Sequence, residues 1–215
     1  MIGIIDYKMG NLRSVQKAFE FVGADAVILQ NVKDADKCDK LVLPGVGAFG
    51  DAMKHLDEMG WTEVVKEHAT KGKVLLGICL GLQLFFDGSD EGAADGEMIE
   101  GLGLLEGKVV RFDESRGMEA GGERLKVPQM GWNAISWERE DPLFAGLSQG
   151  SHVYFVHSYF AQPNEDASEV ITSARADYGG PFTASVWKDN IWAMQFHPEK
   201  SQRVGLQILK NFVSI

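Results

Sequence analysis

The first half of the chain alternates between short apolar runs and longer stretches with helical spacing. Ile2–Asp6 is apolar up to its closing acid, the pattern of a strand buried on both faces. Leu12, Val15, Ala18, Phe19 and Val22 recur at three- and four-residue intervals. That spacing predicts a helix over Leu12–Val22, with Asn11 as its N-cap and Gly23 as its stop. Ala26–Leu29, Lys40–Leu43 and Lys73–Ile78 read as further strands, and Ala48–Met59, Trp61–Lys71 and Leu80–Phe86 as helices. Strands alternating with helices predict a mostly parallel sheet covered on both faces.

The second half changes character. Lys108–Phe112, Trp132–Trp137, His152–Ala161, Val170–Ala176, Thr183–Lys188 and Ile191–Phe196 all read as strands. Asp189-Asn190 is a tight-turn pair that makes a hairpin of the last two. Val204–Val213 reads as a closing helix, and the charged, glycine-rich stretch Asp113–Arg124 as a mobile surface loop. No linker or repeat divides the chain. The expectation is one α/β domain over residues 1–215: a mostly parallel central sheet flanked by helices, with antiparallel strands added in the C-terminal half.

Composition narrows the function. The 215 residues suffice for a core that needs no disulfide or metal staples. With 21 Lys+Arg against 31 Asp+Glu, the net charge of −10 argues against a nucleic-acid binder. Cys38 and Cys79 form neither a C-x-x-C pair nor part of a Cys/His cluster, so no metal site is expected. No apolar run approaches the roughly 18 residues of a membrane span. No secretory leader pattern opens the chain. A soluble cytoplasmic protein with free thiols and no cofactor is expected.

Three segments carry chemistry. Gly77-Ile78-Cys79-Leu80-Gly81 joins an expected strand to an expected helix, the layout of a nucleophile elbow with Cys in place of Ser. The helix N-terminus would favour a thiolate there; a buried structural cysteine beside a packing glycine fits the pentapeptide equally well. A thiolate nucleophile needs a base and an orienting group. Gln195-Phe196-His197-Pro198-Glu199 supplies candidates, since Pro198 extends the backbone at His197 and residues two apart then project to one side. Taken alone, that segment reads more simply as a turn with a half-exposed histidine. Pro44–Gly50 contains glycines at 45, 47 and 50 that match a dinucleotide-binding fingerprint. Its place after the third strand, with a helical stretch following, argues against that reading. The better one is an oxyanion loop, whose flexible glycines let a backbone N–H aim at developing negative charge while the Leu80 N–H supplies a second donor. His55 and His68 read as surface residues, and His152 and His157, five apart, as pointing to opposite faces of one strand.

PGVGAFG (44–50), GICLGLQ (77–83) and QFHPEKS (195–201), in that order, resemble the class I glutamine amidotransferases. IDYKMGNLRSV (5–15), VPQMGWN (127–133) and YFVHSY (154–159) extend the resemblance nearly end to end. They narrow it to the glutaminases that work beside a separate (β/α)8-barrel cyclase in histidine biosynthesis. The resemblance implies that L-glutamine is the substrate and that Cys79, His197 and Glu199 form the catalytic triad. It implies Val46, Gly47 and Leu80 as oxyanion hole and Gln83 and Glu91 at the substrate's amino-acid end. The His157-Ser158-Tyr159 backbone would receive its carboxylate, and Asn11, Trp132, Tyr154 and Lys200 would face the cyclase. Ammonia would pass to the cyclase, which forms imidazole glycerol phosphate and an aminoimidazole carboxamide ribotide. A paralogous glutaminase serving another synthase, as in surface-sugar amination, is the alternative. The chemistry-bearing segments leave little chain to bind an ammonia acceptor, so the resemblance implies a heterodimer; the acidic charge would suit a basic face on the partner. Lys8, where the family commonly has glycine, Gln129, where it has histidine, and the 113–124 loop are departures that would alter docking.

Overall fold

The structure, a computed structural model, describes residues 1–94, 97–115 and 124–215. In chain order it contains β1 (Ile2–Ile5), α1 (Leu12–Phe21), β2 (Ala26–Leu29), β3 (Lys40–Gly45), α2 (Phe49–Glu58), α3 (Trp61–Thr70), β4 (Val74–Cys79) and α4 (Leu80–Leu84). There follow β5 (Phe86–Ser89), β6 (Ile99–Glu100), β7 (Leu105–Arg111), β8 (Gln129–Ala134), β9 (His152–His157) and β10 (Tyr159–Pro163). The chain ends with α5 (Glu165–Ile171), β11 (Thr172–Asp177), β12 (Pro181–Lys188), β13 (Ile191–Met194) and α6 (Gln202–Ser214).

The central sheet runs β11-β12-β13-β4-β3-β1-β2. From β13 to β2 every neighbouring pair is parallel, and β11 and β12 add the antiparallel edge. The apolar runs explain why. Leu41 and Leu43 face one side of the sheet, among Leu56, Trp61 and Val65 of α2 and α3. Val42, between them, faces the other, among Phe19 of α1 and Leu209 and Phe212 of α6. Period-two alternation on a doubly covered strand leaves no polar face. The expected mostly parallel sheet with late antiparallel strands is therefore present. The Asp189-Asn190 hairpin is also present, with Asp189 at φ 52°.

Several expectations are corrected. His152–Ala161 is two strands: β9 pairs with β8 and β10 with β7, in different sheets. The break at Ser158 carries no glycine or proline to announce it; Phe112 N–H binds the Ser158 carbonyl and draws the chain across. The helix expected to Phe86 stops at Leu84 because the Phe85 carbonyl is taken by the N–H groups of Leu104 and Leu105. Val170–Ala176 is the end of a helix and the start of a strand, and Trp132–Trp137 belongs to a strand that ends at Ala134. Asn11 stands at the N-cap but its side chain caps nothing; the Asn11 carbonyl receives Ser14 and Val15. His68 is buried, with Nε2 3.1 Å from the Val74 carbonyl, and His55 is half-buried against the Tyr7 carbonyl at 3.2 Å. His152 and His157 do face opposite ways, one exposed and one buried. Of the expected 113–124 loop, 116–123 lies outside the described residues.

Candidate active site

Parallel strands put their carboxyl ends on one edge, and that is where ligands bind in open α/β sheets. Here β1, β3, β4 and β13 deliver Tyr7, the Gly45–Gly47 segment, Cys79 and Gln195–His197 to adjacent positions of that edge. A cavity of about 340 Å³ opens there.

Cys79 sits at φ 55°, ψ −109°, a conformation that costs an L residue about 1–3 kcal/mol. The glycines around it are steric necessities. A Cβ on Gly77 would stand 2.8 Å from the Gly81 backbone, and one on Gly81 would overlap the Leu43 carbonyl. With only five residues, α4 lends the sulfur a smaller dipole than the expected longer helix would. Gln195 reaches the sulfur, its Nε2 3.7 Å from Sγ.

His197 donates from Nδ1 to Glu199 Oε1 at 2.8 Å. Both side chains are buried. Burial disfavours a charged ring, but interaction with Cys79 and Glu199 outweighs it and lifts the His197 pKa to about 10. Nε2 is buried with no full hydrogen bond, the loose contact expected before substrate draws a site together. Ser201 locks the turn: its hydroxyl donates to the His197 carbonyl at 2.6 Å and receives Tyr154 N–H at 3.0 Å. A Cβ on Gly205 would overlap the Pro198 carbonyl, so α6 also presses on this turn.

The expected substrate-side residues converge. Val46, Gly47, Leu80, Gln83, Glu91, His157, Ser158 and Tyr159 line the same cavity as Cys79 and His197. Glu91 accepts the first N–H of α2, Phe49, at 2.8 Å, and burial raises its pKa. Gln83 Nε2 binds the Tyr159 carbonyl at 2.9 Å and Gln195 Oε1 at 3.1 Å, which leaves its own oxygen for a ligand.

His157 Nδ1 lies 2.8 Å from the Tyr159 carbonyl, which only accepts, so Nδ1 carries the proton. Burial holds the ring neutral by pushing its pKa down to about 4. Nε2 must then accept; Gln129 Oε1 is the atom placed 2.9 Å from it, and a neutral ring requires that amide in its reversed orientation, with the NH2 end donating to Nε2. Gln129 is thus a buried prop of the cavity wall and not an outward docking residue. Lys8 is exposed at φ 71°, the left-handed region where glycine is unstrained.

On the surface beside the site, Trp132 and Tyr154 pair across β8 and β9 with ring centroids 6.0 Å apart, and Lys200 Nζ lies 5.8 Å from the Tyr154 ring. Asn11 is exposed at the start of α1. Sequence reasoning assigned no role to Gln195, Ser201, Pro128 or Val156. Gln195 and Ser201 stand inside QFHPEKS, but their contacts depend on where the strands lie.

Among the described residues no helix is long and apolar enough to cross a membrane, and no cluster of three or more His, Cys, Asp or Glu could hold a metal.

A parallel α/β sheet whose carboxyl edge joins a strained cysteine, an imidazole and a carboxylate defines an α/β domain built for thiol chemistry. The family model "Glutamine amidotransferase class-I" matches residues 3–215, and the chain belongs to that family. It is 54% identical to imidazole glycerol phosphate synthase subunit HisH of Syntrophotalea carbinolica, with 99% of this chain and 98% of that one covered. It is 50% identical to the subunit of the same name from Geobacter sulfurreducens, covering 98% and 97%. Among solved structures, PurLQS from Thermotoga maritima shares the fold at a TM-score of 0.74 and 19% identity, covering 99% of this chain and 97% of that one.

Proposed function

We propose that this protein is the glutaminase subunit of an imidazole glycerol phosphate synthase, hydrolysing L-glutamine and passing ammonia to a (β/α)8-barrel cyclase. The observation that carries the reading is the alignment of Cys79, His197 and Glu199 on one sheet edge, in a chain about half identical to proteins of that name. Cys79 Sγ attacks the side-chain amide carbon. The tetrahedral oxyanion sits against the N–H groups of Val46-Gly47 and Leu80, donors aimed where charge develops. His197, charged and held by Glu199, gives a proton to the departing ammonia, leaving a glutamyl thioester. It then takes a proton from water as the thioester is hydrolysed to glutamate and free Cys79.

Glutamine's ammonium and carboxylate are held by Glu91, the Gln83 oxygen and the His157–Tyr159 backbone. Asn11, Trp132, Tyr154 and Lys200 form the docking face for the cyclase. The exposed Trp132 and the Lys200–Tyr154 stack supply the aromatic and cationic anchors such faces favour.

The test is glutamine hydrolysis measured with and without the cyclase and its nucleotide substrate, for the native chain and for Cys79→Ala. Turnover should rise on adding the cyclase and vanish in Cys79→Ala, while that variant still unfolds cooperatively and binds the cyclase. Stimulation by a different synthase alone would move the protein to the paralogous role.

A further inference from the structure

Among the described residues, the buried side-chain atoms without a hydrogen-bond partner are the Tyr7 hydroxyl, Asp141 Oδ2, His197 Nε2 and Glu199 Oε2. His197 and Glu199 already have a place in the reaction proposed above. Tyr7 has none, yet it lies beside them, following β1, which neighbours β3, which neighbours β4. Buried hydroxyls almost always find a partner, so an unpaired one calls for an explanation.

Tyr7 is not free to turn away. It is completely buried, its carbonyl accepts from His55 Nδ1 at 3.2 Å, and the preceding Asp6 carbonyl accepts from Trp61 Nε1 at 3.3 Å. The hydroxyl ends against two segments: a Cβ on Gly45 would overlap it and would stand 2.8 Å from Leu80 Cβ. Those segments lead into Val46-Gly47 and carry the Leu80 N–H, the oxyanion donors of the proposed reaction. Burial first, and Cys79 second, raise the phenol's pKa, so the group is a neutral O–H donor at working pH. The Val46-Gly47 loop has room to adjust, both residues being exposed and Gly47 standing at φ 102°.

We propose that Tyr7 is a positioning residue for the oxyanion side of the site, its hydroxyl donating to a backbone carbonyl of the Gly45–Gly47 segment only as charge forms on the substrate oxygen and the loop closes on it. The proposal rests on the glutaminase reading. The resting protein carries the donor unsatisfied, and the bond exists in the transition state. An interaction confined to the transition state raises kcat and leaves ground-state binding alone.

Tyr7→Phe removes one oxygen and keeps the ring. Relieved of an unsatisfied buried hydroxyl, the variant should melt about 2–4 °C higher. Its glutaminase kcat, measured with the cyclase bound, should fall about tenfold with KM within about twofold of native. A purely structural tyrosine would lower Tm on losing its hydroxyl and would not split kcat from KM. A Tm that falls or stays put, a raised Tm with native kcat, or an effect on KM alone each overturns the assignment. Cys79→Ala is run alongside. If it still hydrolyses glutamine, the glutaminase reading fails and takes this proposal with it. If it is inactive while Tyr7→Phe is fully active, only the Tyr7 assignment falls.

Discussion

His157 and His197 are both buried, 6% and 2% exposed, and both border the same cavity, yet they are held in opposite charge states. His157 belongs to the wall built by β8 and β9. Its ring packs against Phe112, Phe155 and Phe182 with centroids 5.1, 5.6 and 5.4 Å away, and its polar neighbours are an amide and a carbonyl. His197 belongs to the reactive edge and has a carboxylate 2.8 Å away. Burial therefore sets the cost of charge in both places, and the partner decides whether that cost is met. The wall holds a ring that stays neutral; the edge holds one that can give up a proton.

The largest test of that contrast removes the carboxylate's charge. Glu199→Gln keeps the hydrogen-bonding shape but should lower kcat about 10²–10⁴-fold, by analogy with the loss of the orienting acid in other triads. Thermal unfolding should confirm that the variant folds; a loss below about tenfold would show that orientation alone suffices.

A pair of glycine substitutions compares the packing of the two regions. Gly81→Ala, at the edge, drives a Cβ into the Leu43 carbonyl and should cost about 3–4 kcal/mol in urea unfolding. Gly131→Ala, in the wall, meets open space and carries only the strain of φ 133°, about 1 kcal/mol. Equal costs would remove the contrast.

The two histidines also titrate with opposite sign. The His157 pKa is about 4 in the fold and near 6.5 unfolded, so the unfolded chain binds more protons between those values. Its contribution is complete above about pH 6.5 and is lost as pH falls towards 4, to a total of about 3 kcal/mol. The raised His197 pKa works the other way, stabilising at low pH and losing that effect as pH rises through about 10. The stability penalty of His157→Gln, measured by urea unfolding at pH 7 and pH 4.5, should accordingly shrink on acidification. A penalty independent of pH would mean that the fold does not shift the His157 pKa, and one that grows on acidification that it holds the ring charged.

The smallest effect lies outside both regions. Lys8→Gly relieves a left-handed lysine whose ion pair with the nearly buried Asp6 is long, at 3.7 Å, and has its ammonium end exposed. It should stabilise by about 0.5–1 kcal/mol, read as a rise in urea midpoint.

Much of the reactive edge is legible in the order of its residues. Glycines at 77 and 81 announce a backbone turn too tight for side chains, and Pro198 announces an extended backbone at His197. The extended segment expected to carry both groups is not continuous, because Pro198–Lys200 coils into one 3-10 turn, and it is this turn that brings Glu199 to the His197 ring. These are short-range steric facts written in adjacent residues. The wall is less legible. The split of His152–Ala161 at Ser158 has no local marker, and β5 and β6 escape notice because Phe86–Ser89 is four residues with one apolar side chain and Ile99–Glu100 only two. His68 reads as a surface residue because its burial comes from the Val74 strand edge and not from its own helix.

By itself, then, the amino-acid order determined the alternating α/β plan, the strained cysteine turn and the His197–Glu199 pair, because each depends on backbone sterics and periodicity over a few residues. Tertiary structure alone decided that Gln195 reaches the Cys79 sulfur, that Gln83 bridges Tyr159 and Gln195, and that the Tyr7 hydroxyl ends against Gly45 and Leu80. The hydrogen-bonded pairs among these lie 76 to 116 residues apart in the chain. Such contacts follow from which strands become neighbours and in what register, and no local pattern of residues encodes that.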